Sequence, residues 1–396
     1  MSIRENSTIS ASLLLTLALS GCGGGGGGDS SDGEIISSPV LTAGAFTAVS
    51  TSSLGDHYQI DATAGGFGGS GDWTYIDLDT MSGLDIRSTE AATDSRWDIA
   101  FRRTAIRFNS GPNGPGQVTA ALIASPEGFY DADGEPVADT FTQATAESYA
   151  DIFNHAVPGT ATTWLSESED VVIRQWYTYN PATHTVTANP DRYWLVRGAT
   201  GDRYARIHVT DIRFGDQVEV DIELWRQPAG TSQLDVSSQT TTLSANPEGG
   251  DACLEFATGN RIDCNETWDL RFSYASRSLT LHTNGGISGS GQGGAFEITG
   301  SEDTWTSATT SGTGQPLSGL YSPDQAANIF STAPWYAYNL GGQHKIWSNF
   351  RVYGIDTDGP DTPTGRFRMQ IISYYNDAGT SAMYQVRIAP ITEDTP

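Results

Sequence analysis

Six histidines, three cysteines and a single lysine carry most of the distinctive side-chain chemistry of this 396-residue chain. The histidines are His57, His155, His184, His208, His282 and His344. Two neutral imidazoles approaching one metal from opposite sides, each fixed through its other ring nitrogen, make a strong ligand pair. His155, at the end of a short helical stretch, and His184, in a loop after Trp176-Tyr177-Thr178-Tyr179-Asn180, both fall in connecting segments. Such segments are where a β scaffold usually carries its binding residues. His208 lies inside the strand-like stretch Tyr204–Val209 and reads as structural, and His57, beside the N-terminal tether, reads as mobile. His282 precedes an Asn-Gly turn, and His344 follows a second Trp-Tyr-x-Tyr-Asn run.

Other chemistries find little support. Lys345 is the only lysine, which disfavours Schiff-base and P-loop mechanisms. No G-x-S-x-G or H-E-x-x-H occurs, and the carboxylates are too scattered to single out an acid/base pair, so no enzyme is expected. Gly289-x-Gly291-x-x-Gly294 fits a dinucleotide fingerprint by letter but leads into the strand-like Ala295-Phe296-Glu297-Ile298, where a pyrophosphate needs a helix N-terminus. Asp131-Ala132-Asp133-Gly134 and Asp356-Thr357-Asp358-Gly359 open like calcium loops and lack the closing glutamate, which leaves calcium a secondary ligand candidate.

The elements that must position these residues follow from composition and repeats. With 21 Lys+Arg against 47 Asp+Glu the formal charge is −26, which opposes binding to nucleic acid or to anionic lipid. Aromatic residues make up 10 % of the chain and there are 45 glycines, a profile of short strands joined by Gly-rich turns. At the N-terminus the apolar run Ser12–Leu19 is too short to span a bilayer. It ends in Leu19-Ser20-Gly21-Cys22, which reads as a lipoprotein signal peptide over 1–21 with Cys22 as the lipidated residue. A flexible Gly-rich tether over 22–65 follows. In a compartment that permits disulfides, Cys253 and Cys264 are expected to pair.

The rest of the chain contains a duplication. Trp97-Asp98-Ile99-Ala100-Phe101-Arg102 recurs as Trp268-Asp269-Leu270-Arg271-Phe272-Ser273, and Asn109-Ser110-Gly111 as Asn284-Gly285-Gly286. Asp151-Ile152-Phe153-Asn154 resembles Asn328-Ile329-Phe330-Ser331. Trp176-Tyr177-Thr178-Tyr179-Asn180 matches Trp335-Tyr336-Ala337-Tyr338-Asn339, each with a histidine shortly after, and the strand at Gly201 parallels the one at Gly365. Period-two alternation dominates both copies. The expected fold is mostly β: two consecutive modules, 66–228 and 246–393, each with one short helix, joined by a linker over 229–245.

Taken together, the W-D-I-A-F-R stretch, the N-S-G turn, the W-Y-x-Y-N run with its trailing histidine, and the closing Ile372–Thr380 hairpin resemble the HmuY family. That resemblance implies an all-β outer-membrane lipoprotein that grips haem between two axial histidines and passes it to a TonB-dependent receptor. On this reading His155 and His184 are the axial pair, His282 and His344 form a weaker site in the second copy, and Arg174, Arg192 and Arg197 meet the propionates. Two alternatives remain open: a cofactor-free adhesive lipoprotein that binds a protein or glycan, and a divalent-metal or copper binder using the same histidines.

Overall fold

In a computed structural model the described residues are 45–50, 56–65, 72–246, 250–275, 277–298, 304–359 and 364–392. The signal peptide, Cys22 and the first part of the tether lie outside them.

The chain is mostly β, in antiparallel sheets. Strand Val218–Gln227 shows how patterning produces this. Its Val218, Val220, Ile222 and Leu224 are buried, whereas Glu219, Asp221 and Glu223 alternate toward the other face. Arg213, on the neighbouring strand Tyr204–Phe214, gathers Asp211, Asp221 and Glu219 there.

The strands do not pair in two consecutive blocks. One sheet runs in the order Phe46–Val49, His57–Asp61, Ser381–Pro390, Arg366–Tyr375, Val352–Asp356, Thr119–Ala124, so the two ends of the chain meet in it. Across from it lies a four-stranded sheet of Ser82–Leu84, Thr74–Asp77, Ile99–Arg102 and Ala105–Phe108. Ile76, Ile99, Phe101 and Phe108 from that sheet share one core with Trp335, Tyr353, Met369 and Tyr384. The ring of Phe101 meets Tyr384 edge-on at 5.1 Å. We call this unit, built from 45–167 and 325–392, the split module.

Residues 168–324 form the nested module. Its larger sheet is Gln239–Ala245, Val218–Gln227, Tyr204–Phe214, Tyr193–Arg197, Gly294–Ile298; its four-stranded partner is Arg261–Ile262, Ala252–Leu254, Leu270–Ala275, Ser278–Thr283. Trp176, Trp194, Ile207 and Ile222 pack there against Leu254, Leu270, Phe272 and Leu281. Each core therefore takes the first half of one sequence repeat and the second half of the other.

Four expectations are corrected by this arrangement. The supposed linker 229–245 contains the strand Gln239–Ala245, in register with Val218–Leu224. The supposed tether 22–65 ends in two strands, Phe46–Val49 and His57–Asp61, the second paired with Met383–Val386. His57 is buried rather than mobile. The consecutive modules 66–228 and 246–393 are interleaved, because in both copies the second half presents the same apolar strand face and the adjacent segment supplies the closer partner. By contrast, Cys253 and Cys264 form the expected disulfide, closing the hairpin of Ala252–Leu254 with Arg261–Ile262.

Two short strands carry the chain between the modules. Ser168–Asp170 leaves the split module, Gln325–Ala327 returns to it, and they pair antiparallel with Glu169 opposite Ala326. If the nested pairing holds, residues 168–324 made alone will fold as a monomer with β circular dichroism and a cooperative melt. Residues 66–228 made alone will be unfolded or dimeric, since both of their cores lack a half. Size-exclusion chromatography showing 66–228 as a stable monomer would contradict the arrangement.

Candidate functional site

The repeated motif residues prove to be architecture. Asp98 is buried and its Oδ2 accepts the Leu78 N–H at 2.7 Å. In the nested copy Asp269 accepts from Phe256 and Ala199, at 2.6 and 2.7 Å. Asn109 donates to the Trp97 carbonyl and accepts the Gly116 N–H, and Asn284 does the same with Trp268 and Gly291. A Cβ at Gly114 or Gly289 would overlap the side-chain oxygen of that asparagine, which explains the glycines. Gly289-x-Gly291-x-x-Gly294 is thus an asparagine-braced turn leading into the strand Gly294–Ile298, as its sequence context implied.

A further equivalence was not legible in the sequence. Glu167 Oε1 accepts the Phe108 N–H at 2.7 Å, and Asp324 Oδ2 accepts the Thr283 N–H at 2.9 Å. Each carboxylate stands just before one strand of the crossing ribbon, so these two residues are counterparts. The segments Asp151–Asn154 and Asn328–Ser331, matched by letter, are not. The helix Ala150–His155 lies outside the split module's large sheet, with Phe153 against Val352. Asn328 instead caps the helix Ile329–Thr332 within the crossover and donates to Glu167.

The histidines sort clearly. His208 is buried, stacked on Tyr193 at 4.2 Å, and bonded through Nδ1 to the Arg192 carbonyl. His282 is buried against Ser288 and Glu169, and burial pushes its pKa down to about 3, so it is neutral. Exposed His155 returns its Nδ1 to the Asp151 carbonyl of its own helix. His184 and His344 occupy equivalent places. Each sits at the tip of a hairpin, Tyr177–Asn180 with Thr185–Ala188 or Tyr336–Tyr338 with Ile346–Ser348, in a left-handed backbone conformation. Each offers Nδ1 to a tyrosine hydroxyl, Tyr179 at 2.8 Å and Tyr338 at 3.1 Å. Their Nε2 atoms have no partner among the described residues.

His155 and His184 sit on different modules. The first rides on a helix of the split module and the second on a hairpin of the nested one, and among the described residues no ring contact or hydrogen bond joins them. The three arginines are engaged: Arg174 with Asp170, Arg192 with Glu297 and Gln175, Arg197 with the Gln292 carbonyl. Beside the His344 hairpin is a cleft of about 540 Å³ lined by Phe141, Trp347, Phe350 and Tyr375, with Lys345 over the Trp347 ring at 4.2 Å.

The calcium-like loops diverge. Asp131 Oδ1 accepts from Asp133 and Glu135 in a tight turn, and the equivalent turn at Ser311 is built without any carboxylate. Asp77, Asp79 and Asp98 hold their oxygens within 4.8 Å of one another, and the charge of Asp358 acts on Asp79 and Asp98.

The architecture defines a class: a duplicated all-β protein whose two interleaved modules present matching histidine-tipped hairpins. Residues 70–224 match the model of the HmuY protein family. The matched stretch spans a first half in the split module and a second half in the nested one. No curated protein matches the sequence. Among the described residues no helix is long and apolar enough to cross a membrane.

Burial of the motif carboxylates sets a pH dependence. Burial pushes Asp98 and Glu167 up to about 7 and raises Asp269 and Asp324 in the same direction. The folded chain therefore keeps protons that an unfolded one releases between about pH 4 and pH 7, and stability falls as pH rises through that window. His282 works oppositely: stability rises with pH from about 3 to about 6.5, where the unfolded imidazole takes a proton that the folded one refuses. Two carboxylates outweigh one imidazole, so the melting temperature is expected to drop between pH 5 and pH 7.5. Asp98→Asn should shrink that drop and His282→Gln should steepen it. A melting temperature that climbs steadily over the range would overturn the assignment.

Proposed function

We propose that this protein captures haem or a related tetrapyrrole at the cell surface, held there by a lipid on Cys22, and delivers it to a TonB-dependent outer-membrane receptor. One observation carries the reading beyond the family match: both modules hold an exposed histidine at the same hairpin tip with Nδ1 fixed by a tyrosine hydroxyl. A metal-ligating histidine commonly has its second ring nitrogen fixed in this way, which sets the tautomer and aims the other nitrogen. The donor set therefore fits a haem iron, which would supply an acceptor for imidazole nitrogen.

The residues around His344 add what a flat apolar ligand with acidic edges requires. The neighbouring cleft offers aromatic walls, and Lys345, the next residue, provides a cation for a propionate. Its volume falls in the range of about 300–1,000 Å³ usual for small-molecule pockets. Arg174, Arg192 and Arg197 would first have to leave their present partners, and His282 would have to emerge from burial. We therefore assign the primary ligand role to His344 and His184. His155 serves as a second axial ligand only if its helix approaches the nested hairpin.

The placement of His155 and His184 on different modules favours one other reading, a cofactor-free adhesive protein whose exposed Tyr179 and Tyr338 contact a partner. Hemin titration of the full chain separates the two. Haem capture predicts a saturable Soret shift, reduced at least tenfold in affinity by His344→Ala and lost in the His184→Ala/His344→Ala double variant. His155→Ala should change it little. No saturable shift in the parent protein would favour the adhesive reading, and a spectrum unaltered by the double variant would move the ligands elsewhere.

A further inference from the structure

Where the crossing ribbon meets the four-stranded sheet of the split module there is a cavity of about 560 Å³, lined by Trp73, Arg102, Arg107, Ile287, Asp324 and Ala326 among others. Two arginines converge on it. The guanidinium carbons of Arg102 and Arg107 lie 4.4 and 4.2 Å from the centre of the Trp73 ring. Arg107 is also near the rings of Tyr75 and Trp97, each at 5.4 Å, and donates to the Tyr75 hydroxyl.

Neither arginine makes an ion pair with a described residue. The Nε of Arg107 is buried with no hydrogen-bond partner. In a chain of net charge −26, leaving two guanidiniums side by side without an ion-paired carboxylate is costly, and burial lowers the pKa of both. The nearby acids are engaged elsewhere through most of their oxygens, although the Glu167 charge still acts on Arg107 and its Oε2 has no hydrogen-bond partner. Asp324 accepts the N–H groups of Val172 and Thr283; Glu167 accepts from Phe108 and Asn328 through Oε1.

The internal duplication shows what is missing. His282 stands in the nested module where Arg107 stands in the split one: they pair with Arg271 and Ala100, and each lies two residues before the bracing asparagine. His282 faces the Glu169 carboxylate at 3.5 Å. On the opposing strand of the ribbon, the residue in register with Glu169 is Ala326, whose methyl group lines the cavity. The split module has replaced the neutral histidine by a permanent cation and has removed the internal anion.

We propose that this cavity is a binding site for a small organic oxyanion, a carboxylate or phosphate ester, clamped by Arg102 and Arg107 against Trp73. An arginine pair offers bidentate donors to such a group, and the space exceeds what a bare inorganic ion would fill. The site does not depend on the haem reading, since its residues are distinct from the hairpin histidines and their cleft.

The test uses the full chain and calorimetry at fixed ionic strength with succinate, citrate, glucose 6-phosphate and inorganic phosphate as separate probes. Saturable binding of at least one organic probe, weakened tenfold or more by Arg107→Gln or Arg102→Gln, is expected. Stronger binding of the carboxylates than of the phosphate ester, or the reverse, identifies the group recognised. Ala326→Glu restores the carboxylate found in the other copy, so it should raise the melting temperature without ligand and abolish the binding heat. Three results would each overturn the proposal: no saturable heat with any organic probe; binding of inorganic phosphate alone; or binding that survives Ala326→Glu together with either arginine variant. Hemin titration reads the hairpins separately, so either proposal can fail alone.

Discussion

Every larger feature depends on the way one half-repeat buries its apolar strand face on a half from the other copy. Phe101 and Tyr384 lie far apart in sequence and meet in one core, and truncating a buried phenylalanine of this kind costs about 3–5 kcal/mol. The exchange is possible only if the chain crosses between modules twice, and each crossing starts from a buried carboxylate, Glu167 or Asp324. Glu167 and Asp324 accept the strand N–H groups beside them, and the two crossing strands satisfy each other as a ribbon. The carboxylates are thus held in an environment that disfavours their charge, and the acid-favoured stability is the thermodynamic trace of this connectivity.

This pairing also explains what the sequence could and could not disclose. Fold class was legible because alternation in stretches such as Val218–Gln227 has a period that only a strand satisfies. The disulfide was legible from spacing and compartment. Which half pairs with which was not, because Ile99 and Phe101 present the same apolar face as Leu270 and Phe272, and either could close either core. A local signal did exist: the β-branched, alternating Gln239–Ala245 sits inside what reads by composition as a linker. Sequential neighbours pair by default, and a strand there joins the second half of the first copy to the first half of the second.

His184 and His344 were recoverable because the W-Y-x-Y-N run fixes a hairpin and the histidine falls at its tip. His155 was singled out because it ends a short helix in a connecting segment, a signal that places it in a loop but does not say which module that helix packs on. The likeness of Asp151–Asn154 to Asn328–Ser331 gave no help, since those segments fold at unrelated places. The functional counterpart of the crossover was a lone acid ahead of each tryptophan, Glu167 or Asp324, whose differing type and distance from that tryptophan hide it from letter-by-letter comparison.

Duplication inside one chain lets position-by-position comparison separate scaffold from specialisation. Trp97 and Trp268, Asp98 and Asp269, Asn109 and Asn284, and the tyrosine–histidine tips agree in chemistry, so they answer demands common to both modules. Departures gather at the ribbon edge, where Arg107 replaces His282 and Ala326 replaces Glu169. A histidine held neutral beside a carboxylate is internally balanced and needs nothing from outside. A paired guanidinium cluster beside an alanine is unbalanced, and the surrounding fold stabilises that imbalance rather than relieving it. The duplicated hairpins and the single arginine cavity therefore belong to different layers of the protein's chemistry, the first retained in both copies and the second acquired by one.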